Sequence, residues 1–444
     1  MDYVIMIGQL MLSLSILIVL HECGHFFPAK WFGTRVEKFY LFFDPGFSLF
    51  KYTKGETEYG IGWLPLGGYV KISGMIDESM DLEQMKEPAQ PWEFRSKPAW
   101  QRLIIMLGGV TVNFILGFLL YAMVLWIWGE KYLPTENATY GIYADSLGQE
   151  MGLRDGDFVL EAGGVKLEKF NDRLTLREII INNASTLKVR RDGQVIDLPI
   201  DEKFVTILSG SDNKGAVLYE PRIPFEIKTV DTDGPSNGIL KPGDKVIGLN
   251  GKKYDYFNEL GRQLVKLKEQ DIKLTVVRDR DTLTNQLTTN EKGFIGIQRN
   301  GPDDYFQTKT QEYSFFAALP AGTNKGLSFL GDQFKAFGQM FKGKIKASES
   351  LGGFGTIGSM YGTEWIWERF WKMTAIISLI LAFMNLLPIP ALDGGHVMFL
   401  LYEIITGRKP SDKFMEWATL IGFILILGLV VYANGMDLIR WLRG

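Results

Sequence analysis

Four stretches of this chain contain no Asp, Glu, Lys or Arg: residues 3–20, 103–128, 373–392 and 417–436. Each is long enough to cross a hydrocarbon layer of about 30 Å as a helix. A helix buried in a soluble core keeps a polar stripe, and none of these does. The predicted fold is therefore a polytopic α-helical membrane protein with four transmembrane helices. The first run is expected to be a retained helix, since Asp2 and no basic residue precedes it and no small-x-small cleavage site follows. Basic residues flanking the spans set orientation. Lys30, Arg35, Lys38, Lys51, Lys54, Lys71, Lys86, Arg95 and Lys97 follow the first span, and Arg408, Lys409 and Lys413 join the third to the fourth. Those two loops are expected in the cytosol, with both termini and the segment from about 129 to 369 on the other side. A net charge of −3 argues against a nucleic-acid partner. Cys23 is the single cysteine, so an intrachain disulfide is excluded.

The long exported segment repeats itself. Met151-Gly-Leu-Arg-Asp-Gly-Asp-Phe-Val-Leu-Glu-Ala-Gly-Gly164 aligns with Asn237-Gly-Ile-Leu-Lys-Pro-Gly-Asp-Lys-Val-Ile-Gly-Leu-Asn-Gly251. Each copy has a Gly-Asp turn (156/157 and 243/244), a short apolar strand, a Gly eight positions on, and later a strand containing Val (186–191 and 272–278). A helix is expected at 262–269 in the second copy. Turn, strand, helix and strand in units of this size form small half-open barrels, and the two copies resemble bacterial, circularly permuted PDZ domains. Such folds bind extended peptides on a sheet edge, so a substrate-inspecting role is expected, with plain steric bulk as the alternative.

Further on, Leu327, Leu330, Phe334, Phe337 and Phe341 recur at helical spacing among Lys325, Lys335, Lys342, Lys344 and Lys346. This predicts an amphipathic helix in the membrane interface, or else one packed on the repeats. In the first cytosolic loop, residues 58–74 are rich in Gly, aromatic and β-branched residues, which predicts a β-hairpin associated with the membrane. The expected divisions are 1–27 and 99–129 for the first two spans, 28–98 for the loop with the hairpin, and 136–222 and 223–300 for the repeats. The amphipathic segment follows at 301–368, then the third span at 369–396, a cytosolic connection at 397–414 and the fourth span at 415–437.

His21-Glu22-Cys23-Gly24-His25 stands at the cytosolic end of the first run. On a helix, positions four apart share a face, so both imidazoles reach one divalent ion and Glu22 lies beside its open position as a general base. Only three histidines exist in the chain, and two of them are here. Two satisfied histidines at the interface are the bland alternative. A catalytic zinc takes three protein ligands and a water. Asp393 in Asn385-Leu-Leu-Pro-Ile-Pro-Ala-Leu-Asp393-Gly-Gly-His396 is the expected third. His21 lies roughly 27 Å from its run's exported end and Asp393 roughly 30 Å from the start of the third, so both reach similar depth. Pro388 and Pro390 should break the helix ahead of Asp393. His396, three residues on, is the rival ligand, though a supporting role suits it better.

This order of motifs resembles the site-2 protease family of intramembrane zinc metalloproteases, across nearly the whole chain. The resemblance implies a bacterial inner-membrane enzyme holding Zn2+ on His21, His25 and Asp393, with Glu22 as base. It implies that Asn385 binds the substrate backbone, and that the Gly-rich segment with Gly67, Gly68 and Tyr69 presents substrate as an extended strand. Asn113 is assigned to substrate too, although Gly109-Val-Thr-Val-Asn113 lacks the proline of the family's Gly-Pro-x-x-Asn. Gly355-Thr-Ile-Gly-Ser359 matches the family only loosely. Implied substrates are single-span membrane proteins already trimmed outside, such as anti-sigma factors, or remnant signal peptides. A peptide-binding scaffold with a degenerate metal site is the alternative, and a metal transporter a further one. The intact HExxH argues against the scaffold, and the lack of ionisable residues along the spans argues against the transporter.

Overall fold

A computed structural model describes residues 2–65, 67–75, 88–210, 213, 216–345 and 352–443; Lys86 and Lys346, named above, and Leu66 within the 58–74 segment lie outside the described residues. The chain divides into two compact units: Met1–Gly129, Glu312–Phe334 and Leu351–Gly444 form one, Glu130–Gln311 and Lys335–Ser350 the other.

Among the described residues, the first unit holds four helices long and apolar enough to cross a membrane, at Tyr3–Trp31, Ala99–Trp128, Trp367–Leu386 and Lys413–Leu442. Their outward faces carry exposed residues such as Ile7, Ile115, Leu119, Trp126, Ile421 and Ile424. So broad an apolar exterior is stable only against lipid. The first helix runs on ten residues beyond His21 to Trp31. It crosses the second helix where Gly24 meets Gly108: a Cβ on Gly24 would lie 2.5 Å from the Gly108 carbonyl oxygen, and one on Gly108 would overlap that of Gly24. Lipid provides no hydrophobic drive for helix pairing, so such small-residue contacts carry it.

The third helix ends at Leu386, and Leu387 turns extended ahead of Pro388. Ala391 takes φ 83°, and a new helix starts at Asp393 and runs to Thr406, closed by Gly407 at φ 71°. The connection expected from 397 is thus largely helical. Its apolar run after Gly395 continues at helical spacing and buries Val397 and Leu400. Gly394 and Gly395 let it fold back on the break, where a Cβ on Gly395 would stand 2.6 Å from the Ile389 carbonyl oxygen. Arg102 of the second helix and Glu403 of this one form a largely buried ion pair at 2.6 Å.

Between the first two helices lies a four-stranded sheet: β1 (Val36–Leu41), β2 (Phe43–Lys54), β3 (Thr57–Leu64) and β4 (Tyr69–Ile72), in the order β2-β3-β1-β4. The hairpin expected over 58–74 is therefore corrected. Strands β3 and β4 do not pair with each other, because β1 sits between them, parallel to β3 (Tyr40 opposite Gly60) and antiparallel to β4 (Tyr40 opposite Tyr69). Edge strand β4 begins beside Gly68, where a Cβ would clash with Ile18 of the first helix and the Tyr40 carbonyl.

The helix Phe315–Phe341 contains Pro320. Its Gly322 and Gly326 abut Ala122 and Phe118 of the second helix, so it packs on a span over that stretch, while Leu327, Phe334 and Phe341 stay exposed.

The second unit contains the repeat twice over. The first copy orders its sheet as Gln194–Pro199, Thr186–Arg191, Phe158–Ala162 and Val165–Lys166; the second as Asp281–Thr288, Asp271–Arg278, Lys245–Leu249 and Lys252–Lys253. Each adds a two-stranded ladder, Ile142–Ala144 with Tyr219–Pro221 and Ile227–Val230 with Ile297–Arg299. Each also has its own core, around Leu153, Ile179, Leu187 and Val189 and around Leu240, Leu260, Ile272 and Leu274. The helix expected at 262–269 instead occupies Phe257–Leu264, and Glu269 turns at φ 51°. In both copies the Gly-Asp aspartate is tied to an arginine 34 residues on: Asp157 takes two bonds from Arg191 at 2.8 Å, and Asp244 two from Arg278 at 2.6 Å. Both aspartates are 1% exposed.

Candidate metal centre

His21 and His25 lie one turn apart on the first helix, with ring centroids 4.9 Å apart and Nε2 atoms 3.3 Å apart. The helix break delivers Asp393 between them: its Oδ2 is 3.3 Å from His21 Nε2 and 3.4 Å from His25 Nε2. Nitrogen and oxygen ligands held tetrahedrally about 2.0–2.1 Å from zinc lie about 3.3–3.4 Å from each other. The three donors match that spacing. Asp393 Oδ2 is buried with no hydrogen-bond donor among the described residues, the condition of an oxygen meant for a cation. Among the described residues, the group that could hold a metal is His21, His25 and Asp393. His396 is outside it, its ring near Phe399 at 6.4 Å.

The ligands are held from behind. His25 Nδ1 is 2.9 Å from the Ile105 carbonyl oxygen. Donating its proton there leaves the Nε2 lone pair facing the centre. His21 Nδ1 is 3.2 Å from the Asn113 amide, and Asn113 is 1% exposed. Asn113, expected to touch substrate, faces the His21 ring in this structure. Gly109 lies between these two contacts, where a Cβ would stand 2.6 Å from His21 Cε1 and nearer still to His25 Nε2. The sequence marks Gly109 only as the start of Gly109-Val-Thr-Val-Asn113, with no role at the histidines, and marks Gly108 and the Ile105 carbonyl not at all. The Gly-Gly pair inside an apolar run was the available signal.

Glu22 is 8% exposed and adjoins His21 on the same helix. A Cβ on Gly68 would stand 3.5 Å from Glu22 Cγ, which puts the start of edge strand β4 beside the carboxylate. Gly67, at φ 155°, precedes it. The Tyr69 hydroxyl donates to Asp44 at 2.8 Å and its ring stacks on Tyr40, so this side chain serves the sheet itself. Asn385, the penultimate residue of the third helix, reaches His21 Nε2 at 3.4 Å and so borders the ligand side of the centre.

The family model described as Peptidase family M50 matches residues 9–429. The chain is similar to the regulator of sigma-E protease RseP of Escherichia coli, with 27% identity over 98% of both chains. It is similar to the regulator of sigma E protease of Haemophilus influenzae, at 26% identity over 99% of this chain and all of that one. The metalloprotease MmpA of Caulobacter vibrioides shares 25% identity over 99% of this chain and 96% of its own. With an HExxH helix, an aspartate delivered beyond a broken helix and a family match over residues 9–429, the chain belongs to peptidase family M50 and is an intramembrane zinc metalloprotease of the site-2 type.

Proposed function

We propose that the centre of His21, His25 and Asp393 cuts a single-span membrane protein within its own membrane segment, near the cytosolic face. The observation that carries this reading is the three-donor triangle beside the buried Glu22 carboxylate. When bound there, zinc supplies Lewis acidity to a water and to the scissile carbonyl. Glu22 takes the proton from the attacking water and passes it to the leaving amine. A helical peptide bond is shielded by its own hydrogen bonding, so substrate must be drawn out before attack. As the outer strand of its sheet, β4, next to Gly68, lies where a substrate segment can join it in extended form. The Asn385 amide, 3.4 Å from His21 Nε2, lies where it can hold the substrate backbone against the centre.

The basic loops support placing the metal centre toward the cytosol and the repeats outside, in a bacterial inner membrane. The two copies in the second unit act as PDZ-like filters that favour substrates already trimmed outside, of the anti-sigma-factor or remnant-signal-peptide kind. The test is cleavage of a single-span model substrate by purified protein in detergent. Glu22→Gln should abolish product while retaining zinc by elemental analysis. Product formation at the wild-type rate by Glu22→Gln would overturn the assignment of the base.

A further inference from the structure

The second helix turns one face toward both histidines. Ile105, Gly109 and Asn113 follow at intervals of four and stack on one side. Ile105 offers its carbonyl to His25 Nδ1, Gly109 leaves room for the rings, and Asn113 reaches His21 Nδ1. Ser378 of the third helix, itself 0% exposed, donates to the Asn113 backbone carbonyl at 2.8 Å and anchors that turn.

A histidine that ligates through Nε2 carries its proton on Nδ1 and needs an acceptor there. For His25 the acceptor is the Ile105 carbonyl. For His21 it has to come from Asn113. Here Asn113 faces the ring through Nδ2, while its Oδ1 is buried with no partner among the described residues. A half-turn of the amide about Cβ–Cγ exchanges the two atoms and gives Oδ1 the Nδ1–H donor. An amide serves both tautomers of His21, a carboxylate only the ligating one, and an aliphatic side chain neither.

We infer that Asn113 is the positioning residue that selects the zinc-ligating tautomer of His21, accepting Nδ1–H through Oδ1 when the metal is bound and donating through Nδ2 when it is not. This rests on the metal-centre reading above and adds the element that tunes affinity.

The experiment measures zinc affinity of the full chain in detergent by competition with a chromophoric chelator. Wild type, Asn113→Leu and Asn113→Asp are compared. Asn113→Leu should bind zinc about 10–100-fold more weakly, the usual effect of deleting such a support. Asn113→Asp keeps the acceptor and should bind as tightly as wild type or more so. Equal affinity for Asn113→Leu and wild type would overturn the inference, as would an Asn113→Asp protein weakened as much as Asn113→Leu. If Asn113→Leu is not recovered folded, Asn113→Asp decides alone: a loss of about tenfold or more refutes the role. A wild-type protein that binds no zinc would instead refute the metal centre itself.

Discussion

Changing Gly109 to alanine puts one methyl group into space that both ligating imidazoles border. The added Cβ falls 2.6 Å from His21 Cε1 and 2.9 Å from His21 Nδ1, with His25 Nε2 closer still. Carbon rests about 3.5 Å from such neighbours, so something must give by roughly 1 Å. His25 cannot retreat freely, because its Nδ1 is held at 2.9 Å by the Ile105 carbonyl one turn earlier on the same helix. Separating the helices instead would undo the backbone contact of Gly24 with Gly108 and leave Asp393, on another helix, out of reach. Metal–ligand distances tolerate about 0.2 Å, so a movement of roughly 1 Å removes a ligand. Zinc affinity should fall at least about 10–100-fold, and the rate at limiting zinc by about 100-fold. Alanine is the better helix former by up to about 1 kcal/mol, so the loss cannot be blamed on the helix. Gly117→Ala is the control on the same helix: its Cβ meets the Leu379 side chain, with Cγ and Cδ2 both at 2.6 Å, and no metal ligand, so zinc should be retained. Chelator competition and cleavage of a single-span substrate read both variants. Wild-type zinc affinity and turnover in Gly109→Ala would refute this account of how the second helix shapes the centre.

Arg102→Ala leaves Glu403 buried without its guanidinium and should cost about 3 kcal/mol, read as a lower thermal midpoint in detergent; an unchanged midpoint would mean the pair does not hold the Asp393 helix. In the second repeat, burial alone would raise the Asp244 carboxyl, but the Arg278 guanidinium and the Lys241 amide hold it below its usual value. A folded value below the unfolded one adds stability above about pH 4, lost as pH falls through the folded value. Protection factors for hydrogen exchange across that repeat, corrected for the intrinsic rate, should therefore fall below about pH 4. Arg278→Ala should lower them already at pH 7, by about 3 kcal/mol of lost protection, and unaltered exchange would sink the argument. Deleting residues 136–300 should let the enzyme cut substrates with intact external domains; a preserved preference for trimmed substrates would rule out gating by the repeats.

How much of this could be read beforehand depends on how local each signal is. The approach of His21 to His25 follows from a spacing of four on one helix. The interruption before Asp393 follows from Pro388 and Pro390, whose missing N–H groups and ring sterics act within a few residues. Pairing across the sheet is a different kind of information. Nothing within 58–74 tells that β1, from residues upstream, inserts between β3 and β4. The role of Gly109 is silent for a related reason, since a glycine declares only an absence and the partner it makes room for lies more than eighty residues away. The arginines at 191 and 278 were readable: both follow a Gly-Asp aspartate by 34 residues, and a strand-end cation at constant offset in two copies suggests a shared tie.

The broken third helix explains why the third ligand is an aspartate at a helix start. A carboxylate in the middle of an intact apolar helix would have to be buried among hydrocarbon with no compensating charge. At the first position of a new helix the Asp393 carboxylate stands at the end whose helix dipole favours an anion. The break also turns it toward two imidazoles on the first helix. Gly394 and Gly395 then have a defined purpose, since any side chain there would push the new helix off the Leu387 and Ile389 carbonyls and swing Asp393 away from the histidines. On this argument Gly395→Ala should lose zinc as Asp393→Asn does, although residue 395 touches no ligand. Retention of zinc by Gly395→Ala would show that the break tolerates a wider turn than its packing implies.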